Sequence, residues 1–394
     1  MCVKNEQEKF RETLSRVIHI ADELVVGVDK TSDPEMLTIV ERYRDKVKKF
    51  KVYRYKWQDD FSKMRNECLA KATQDWILML DGHDYMTPRA VEIANQVANN
   101  LPEQYRHVRV VDAVMQDPPH KSTGTTTQYQ RPVMFKRVYR SAGKKKYAGK
   151  DGVKFNLPIH NVIQESIQYR MNVGDMILEH RQPPKRVEAR KEQRGQMNIE
   201  GLRKRLEDDP TDTRSMFYLA RTLEEQGEVT ESLEWFQKHI DQSGFGDERY
   251  QSRIHIALAY FRMFDDDGDL AHLHAARDVL FECTKDRVQR NDHWLLLGDA
   301  AKVMKLMDEA ALYYRIALSY ERPKAFLFIV PENFTWLPLE KLADAYSQAA
   351  KYPQALDAIQ KAMAHRPNHQ PYYNLKTVLE KYAYGQQGGI HNAH

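Results

Sequence analysis

Cysteine is scarce: Cys2, Cys68 and Cys283 are the only three in 394 residues. An odd count this low excludes a disulfide framework and agrees with a reducing compartment. Long apolar runs are also missing. No stretch approaches the roughly 20 residues that cross a bilayer, and the N-terminus lacks the apolar core of a signal peptide. A cytoplasmic protein without a membrane span is expected. Nor does charge of one sign dominate, for the formal charge of +4 does not by itself demand a nucleic-acid partner. Residues 46–51, and Lys144, Lys145 and Lys146 with Arg137 and Arg140, can form basic patches on an otherwise solvated surface. The acidic residues 265–269 lack the spacing of a calcium loop. His272 and His274 stand two apart, on different helix faces, so no zinc site is predicted.

What remains reads as two or three packed domains, 42% of the residues being apolar. The short run Trp76-Ile77-Leu78-Met79-Leu80 predicts a buried parallel strand. Directly after it come Asp81, Gly82, His83 and Asp84. Open α/β sheets bind ligands at the carboxyl ends of their strands, which makes this cluster a candidate catalytic site. Two carboxylates and an imidazole suit a hard or borderline divalent cation, and such a cation can bridge the phosphates of a nucleotide. Upstream, Glu23-Leu24-Val25-Val26-Gly27-Val28-Asp29 predicts a strand ending in an acid, followed by the turn residues 30–34. Residues 51–55 alternate as a strand, and a helix is predicted to open with Asp60 or Ser62 as its N-cap. Phe10, Leu14, Val17 and Ile18 fall at helical spacing behind a first strand that looks cut short at its beginning.

The ordered set Val3-Lys4-Asn5-Glu6, residues 22–29 with Ser32-Asp33, residues 57–62 with Arg65-Asn66, and residues 75–81 resembles a family 2 glycosyltransferase carrying C-terminal tetratricopeptide repeats. The resemblance is dense over residues 1 to about 90, thin to about 180, and returns as repeats. It implies a GT-A fold, a Rossmann-like mixed α/β sheet, binding a nucleotide-sugar and Mn2+ or Mg2+. It implies donor binding by Asp29, Asp33, Arg65, Asn66 and Asp81, with Asp29 near the base and Arg65 in the nucleotide pocket. The metal motif falls on Asp81 and His83, with Asp84 and His180 as further candidate ligands. Two positions depart from the relatives. Histidine stands at 83 where most carry an acid, a change that keeps a metal ligand. The relatives' His-Glu pair appears as His160-Asn161, and a neutral amide cannot take a proton from an acceptor hydroxyl. His160, Asp151 and Glu165 are the catalytic candidates, the last two by position alone.

From about Thr213 the pattern is helical and repetitive. Leu219 and Ser232, Leu297 and Ala310, and Leu342 and Ala355 are each 13 positions apart within one template. A further copy at Ala257 and Tyr260 reaches its small residue only at Ala276, because residues 264–270 are expected to lengthen the turn between its helices. Small residues belong where paired helices approach and large ones in the seams, so Trp235, Phe236, Trp294, Tyr313 and Tyr314 are assigned to packing. The run Phe326-Leu327-Phe328-Ile329-Val330-Pro331 interrupts the array. It is expected to fold back into the groove of the repeats, a homodimer or acceptor contact being the functional alternative.

The expected organisation is a GT-A catalytic domain over 1–182, a basic helical linker over 183–212, an all-α tetratricopeptide-repeat solenoid over 213–384 and a flexible tail over 385–394. The expected activity is metal-dependent transfer of a sugar from a nucleotide-sugar, a UDP-sugar foremost, to a hydroxyl of a large acceptor. That acceptor is a glycan, a protein or a hydroxymethylated DNA base. The alternative is a catalytically inactive GT-A and tetratricopeptide interaction scaffold.

Overall fold

The computed structural model describes residues 1–58, 60–156, 162–163, 165–180, 184–286, 288–323 and 327–385. It contains two compact units, Met1–Arg190 with Lys324–Ile329, and Lys191–Pro323 with Val330–His394. No helix among the described residues is long and apolar enough to cross a membrane.

In the first unit, β1 (Cys2–Val3), β2 (Glu23–Asp29) and β3 (Lys49–Tyr55) form a parallel sheet with β2 in the middle. β2 is buried from Leu24 to Asp29, as its unbroken apolar run requires. Helix α1 (Gln7–Val17) turns Phe10, Leu14 and Val17 inward. Asp33 caps α2 (Pro34–Glu41) by accepting from the Glu35 amide at 2.9 Å. Asp60 caps α3 (Phe61–Lys71) by accepting from the Lys63 amide at 3.0 Å. Side-chain acceptors at these positions satisfy amides that the first helical turn leaves unpaired. Only two residues of β1 pair with β2. Beside them, a cavity of about 260 Å³ separates Leu24 and Val25 from Trp76 and Leu78.

A second sheet follows with the order β4-β7-β6-β12-β5, made by β4 (Trp76–Leu78), β5 (Asp84–Met86), β6 (Val110–Gln116), β7 (Gln128–Lys136) and β12 (Arg170–His180). Helix α4 (Pro88–Asn100) covers it, and the hairpin β8 (Val138–Ser141) and β9 (Lys144–Tyr147) and the pair β10 (Phe155–Asn156) and β11 (Val162–Ile163) stand apart. The parallel pairing predicted for residues 76–80 is not what forms. β4 runs antiparallel to β7, because a buried apolar run reports burial on both faces and not the direction of its neighbour. Ile329 joins this unit as well, exchanging two 2.8 Å backbone hydrogen bonds with Gln128, while Phe328 packs 5.7 Å from the Tyr129 ring. The expectation that this apolar segment lies in the groove of the repeats is therefore corrected: Ile329 satisfies the backbone at the start of β7. Phe326 lies outside the described residues.

Helix α5 (Pro184–Asp208) spans the expected linker, and the second unit continues with α6 (Thr213–Gln226), α7 (Val229–Gln242), α8 (Gly246–Asp267), α9 (Leu270–Glu282), α10 (Asp292–Val303), α11 (Met307–Leu318), α12 (Trp336–Gln348), α13 (Tyr352–His365) and α14 (Gln370–Gly385). Successive helices pack in pairs, α6 with α7, α8 with α9, α10 with α11 and α12 with α13. The template residues Leu219, Ser232, Ala276, Leu297, Ala310 and Ala355 are almost wholly buried, as the spacing predicts. Gly298 shows why the template needs small residues: a Cβ there would lie 2.3 Å from the Tyr314 ring, so α10 and α11 could not approach. Phe236, Tyr313 and Tyr314 are core, whereas Trp235 and Trp294 are half-buried. The acidic residues do not lengthen a turn. They extend α8 to 22 residues, stopped by Gly268 at φ 74°, after which Asp269 caps α9.

His293 is buried at the start of α10 with Nδ1 3.0 Å from the Tyr250 hydroxyl. Burial, aided by Arg290 and opposed by Asp292, pushes its pKa down to about 4. The unfolded chain therefore binds this proton more tightly than the folded one. Stability should be intact above the ordinary value of 6.5 and fall by about 3 kcal/mol as pH drops from there through the folded value. His293→Gln should flatten that acid limb, as read by urea unfolding across the range.

Candidate functional site

The chain between Leu78 and Asp84 crosses from one outer strand of the five-stranded sheet to the other. This crossing carries Asp81, Gly82 and His83. Gly82 runs so close to the first strand that a Cβ would touch Val3 at 3.3 Å and Glu6 at 3.4 Å. Alternation along paired strands puts Arg131 of β7 on the same face as Ala113 and Met115 of β6, Leu178 and His180 of β12, and Asp84 of β5.

Two guanidinium groups and two carboxylates interlock there. Asp81 Oδ2 accepts from Arg65 at 2.8 Å and from Arg131 at 3.1 Å. Arg131 also pairs with Asp84 Oδ2, which accepts in addition from the Asp81 amide at 2.8 Å. Burial alone would raise the Asp81 pKa, but Arg65 and Arg131 outweigh it and hold the carboxyl well below the usual carboxylate range. Asp84 is fully buried, and Arg131 likewise outweighs burial to keep it ionised. Burial would lower the Arg131 pKa, yet Asp84 and Asp81 raise it. With two charges of each sign, the interlock is neutral.

Metal-capable atoms of His83, Asp84 and His180 lie within 4.8 Å of one another. Asp84 Oδ1 is buried, and its approach is to His180 Nδ1 at 3.5 Å. The rings of His83 and His180 meet edge to face at 4.6 Å. Burial, only partly offset by Asp81, keeps the His83 imidazole neutral below its ordinary range, which is the form that ligates. A set of two imidazoles and one carboxylate suits manganese, iron or zinc better than an all-oxygen preference such as that of magnesium. Of the four predicted ligands, the structure thus gathers His83, Asp84 and His180. Asp81 stands beside them, with one oxygen taken by two guanidinium groups.

Among the predicted donor residues, Asp29 is buried at the end of β2. Its Oδ1 accepts from the Thr31 amide at 2.7 Å and from the Thr31 hydroxyl, and its Oδ2 from the Trp57 amide at 3.2 Å. Burial would raise its pKa, and these donors bring it below the ordinary value. It therefore fixes the loops after β2 and β3 as a fully ionised acid. Asp33 serves as the α2 cap described above. Arg65 faces Asp81, with its guanidinium over the Phe155 ring at 5.3 Å. Asn66 spends both ends of its amide on the Phe155 backbone, at 2.8 Å each. It anchors the 149–156 segment to α3.

Of the catalytic candidates, Glu165 and Asp151 are not brought to the interlock. Glu165 pairs with Arg109 through both oxygens, at 3.3 and 3.2 Å. Arg109 precedes β6, whereas His180 lies beyond its far end; seven residue steps along the strand separate Arg109 from Gln116, about 23 Å. Asp151 is exposed and closes the turn after β9 by accepting from the Tyr147 amide at 3.0 Å. His160 and Asn161 lie outside the described residues. Two residues that sequence reasoning missed do reach the site. Arg131 is one. The other is Asp117, which follows Gln116 just as His180 follows its partner Glu179. Its side chain makes no hydrogen bond or ion pair among the described residues. Burial raises its pKa above the usual carboxylate value, with His180 acting in the opposite direction. The alternation Tyr129-x-Arg131, which sets an arginine on the inward face of a strand, was the available signal for the first.

Residues 1–150 match the family model described as Glycosyl transferase family 2. A TPR repeat-containing protein of Synechococcus elongatus is 25% identical over 296 residues, which is 70% of this chain and 64% of that protein. The chain thus spans slightly less than two thirds of that curated relative. Among solved structures, a thermophilic TPR protein of Thermus thermophilus is 18% identical with a TM-score of 0.34, covering 49% of this chain and 94% of that one. S. aureus TarS 1-349 is 15% identical with a TM-score of 0.31, covering 81% of this chain and 91% of that one.

Proposed function

Taking residues 1–150 as a glycosyl transferase family 2 domain, we propose that this protein transfers a sugar from a nucleotide-sugar, a UDP-sugar in the first instance, to a hydroxyl of a large acceptor. The observation that carries the reading is the neutral Asp81, Asp84, Arg65 and Arg131 interlock abutting His83 and His180. His83, Asp84 and His180 would hold a divalent cation, which when bound offsets charge on the departing diphosphate. Arg65 and Arg131 are held in place by Asp81 and supply fixed donors at the same edge. Asp29 shapes the floor of the base pocket by tying Thr31 to Trp57. Asp117, a carboxylate with free acceptor capacity and a raised pKa, is the group offered to take the proton of the acceptor hydroxyl. Three free cysteines fit a cytoplasmic setting, and the repeat unit is suited to holding a protein or glycan acceptor.

The test is release of nucleoside diphosphate from a panel of nucleotide-sugars, with and without Mn2+. Turnover that requires the cation is expected. Asp117→Asn should then lower kcat on the order of 100-fold or more while leaving the Mn2+-dependent thermal shift with the diphosphate intact. Absence of both turnover and any cation-dependent shift would favour the interaction scaffold instead.

A further inference from the structure

The hairpin of β8 and β9 takes no part in the donor site, yet it concentrates positive charge at Arg140, Lys144 and Lys145. Ala142 and Gly143 at its tip have φ of 47° and 75°, the pair of left-handed residues that a two-residue type I′ turn requires. Its register sets Arg140 directly opposite Lys145, and both are exposed. Like charges facing each other across two strands are destabilising. Relief does not come from within: Arg140, Lys144, Lys145, Lys150 and Lys154 have no acidic partner among the described residues. Lys146, on the other face, takes Asp151 at 3.6 Å. The second basic run differs, since Lys48 pairs with Asp22 at 2.7 Å and Lys51 with Glu23 at 2.8 Å.

On the outer face, Tyr147 follows two residues after Lys145, about 7 Å along the strand, and is 40% exposed. The base of the hairpin is rigid. Gly149, at φ 73°, lies so close to α3 that a Cβ would fall 2.4 Å from the Asn66 carbonyl oxygen, and Asn66 clamps Phe155. Cations flanking an exposed aromatic on a pre-formed ribbon match the demands of a single-stranded nucleic acid, which offers phosphates at intervals and a base face to stack. A bilayer is the poorer fit, because residues 141–144 at the tip present no large apolar side chain to insert.

We propose that this hairpin binds single-stranded nucleic acid, with phosphates on Arg140 and Lys145 and a base against Tyr147. This inference stands independently of glycosyl transfer. The experiment is fluorescence anisotropy of a labelled oligodeoxythymidine with the full chain, over a salt series. Binding that weakens steeply with salt is expected. The double variant R140Q/K145Q should bind at least about tenfold more weakly and lower the log–log salt slope by about 1.4, at roughly 0.7 per phosphate contact. Tyr147→Ala should weaken binding about tenfold with the slope unchanged. K46Q/K49Q should bind as the parent does. No binding at low salt, equal loss in K46Q/K49Q, an unaffected double variant, or preference for duplex or for phosphatidylglycerol vesicles would each overturn the assignment. Mn2+-dependent diphosphate binding by the same variants, expected unchanged, reads the donor site separately.

Discussion

Exchanging Arg131 for methionine is expected to lower the unfolding free energy of the first unit by about 3–5 kcal/mol, the range for removing one partner of a buried ion pair. Methionine keeps an unbranched apolar stem but lacks the guanidinium head, so the charge is lost together with the volume of that head. What remains is Asp84, with no exposure, and Asp81, with one guanidinium in place of two. In the parent both carboxyls have pKa values below the ordinary 3.8, so their contribution is present above that value and is lost as pH falls beneath it. In the variant a buried carboxylate without its partner takes up a proton on folding, which costs more as pH rises. The gap between the two proteins should be widest near neutrality and should narrow in acid, as measured by urea unfolding at both. A gap independent of pH would mean that Arg131 contributes through packing alone.

The second large effect concerns cation affinity. His83→Ala and His180→Ala each remove one nitrogen from a group of three ligands, and each is expected to weaken Mn2+ binding by at least about 100-fold, beyond what loss of an outer partner costs. Asp81→Asn separates the two accounts of this site. If Asp81 chiefly holds Arg65 and Arg131, as its hydrogen bonds indicate, calorimetry should find Mn2+ affinity changed only a few-fold and diphosphate affinity reduced. Equal loss of Mn2+ in all three variants would return Asp81 to the coordination group.

Local rules carried much of the fold and part of the site. Asp60 was readable as a cap because a helix start is decided within four residues, and the Leu219 to Ser232 spacing recurs because each repeat packs mainly on its neighbours. Cluster residues 81–84 were visible as chemistry at the end of an apolar run. Their roles were not, since Arg131 lies 50 residues from Asp81 and 47 from Asp84, and periodicity reports faces but not partners. The same gap hid the antiparallel pairing of β4 and the pairing of Glu165 with Arg109. Asp265 to Asp267 read as a loop because acids favour turns, but an exposed helix tolerates them and Gly268 supplied the stop.

Strand β12 contains a surplus. Val173 sits opposite Ala113, and the next matched pair is Ile177 with Val114, leaving residues 174–176 without counterparts. An odd surplus inverts parity: every side chain after it exchanges faces relative to an uninterrupted strand. That inversion is what presents the His180 imidazole, and not the Glu179 carboxylate, beside Asp84 and Arg131. The unpaired residues 174–176 thus decide which of two adjacent side chains, an imidazole or a carboxylate, meets Asp84.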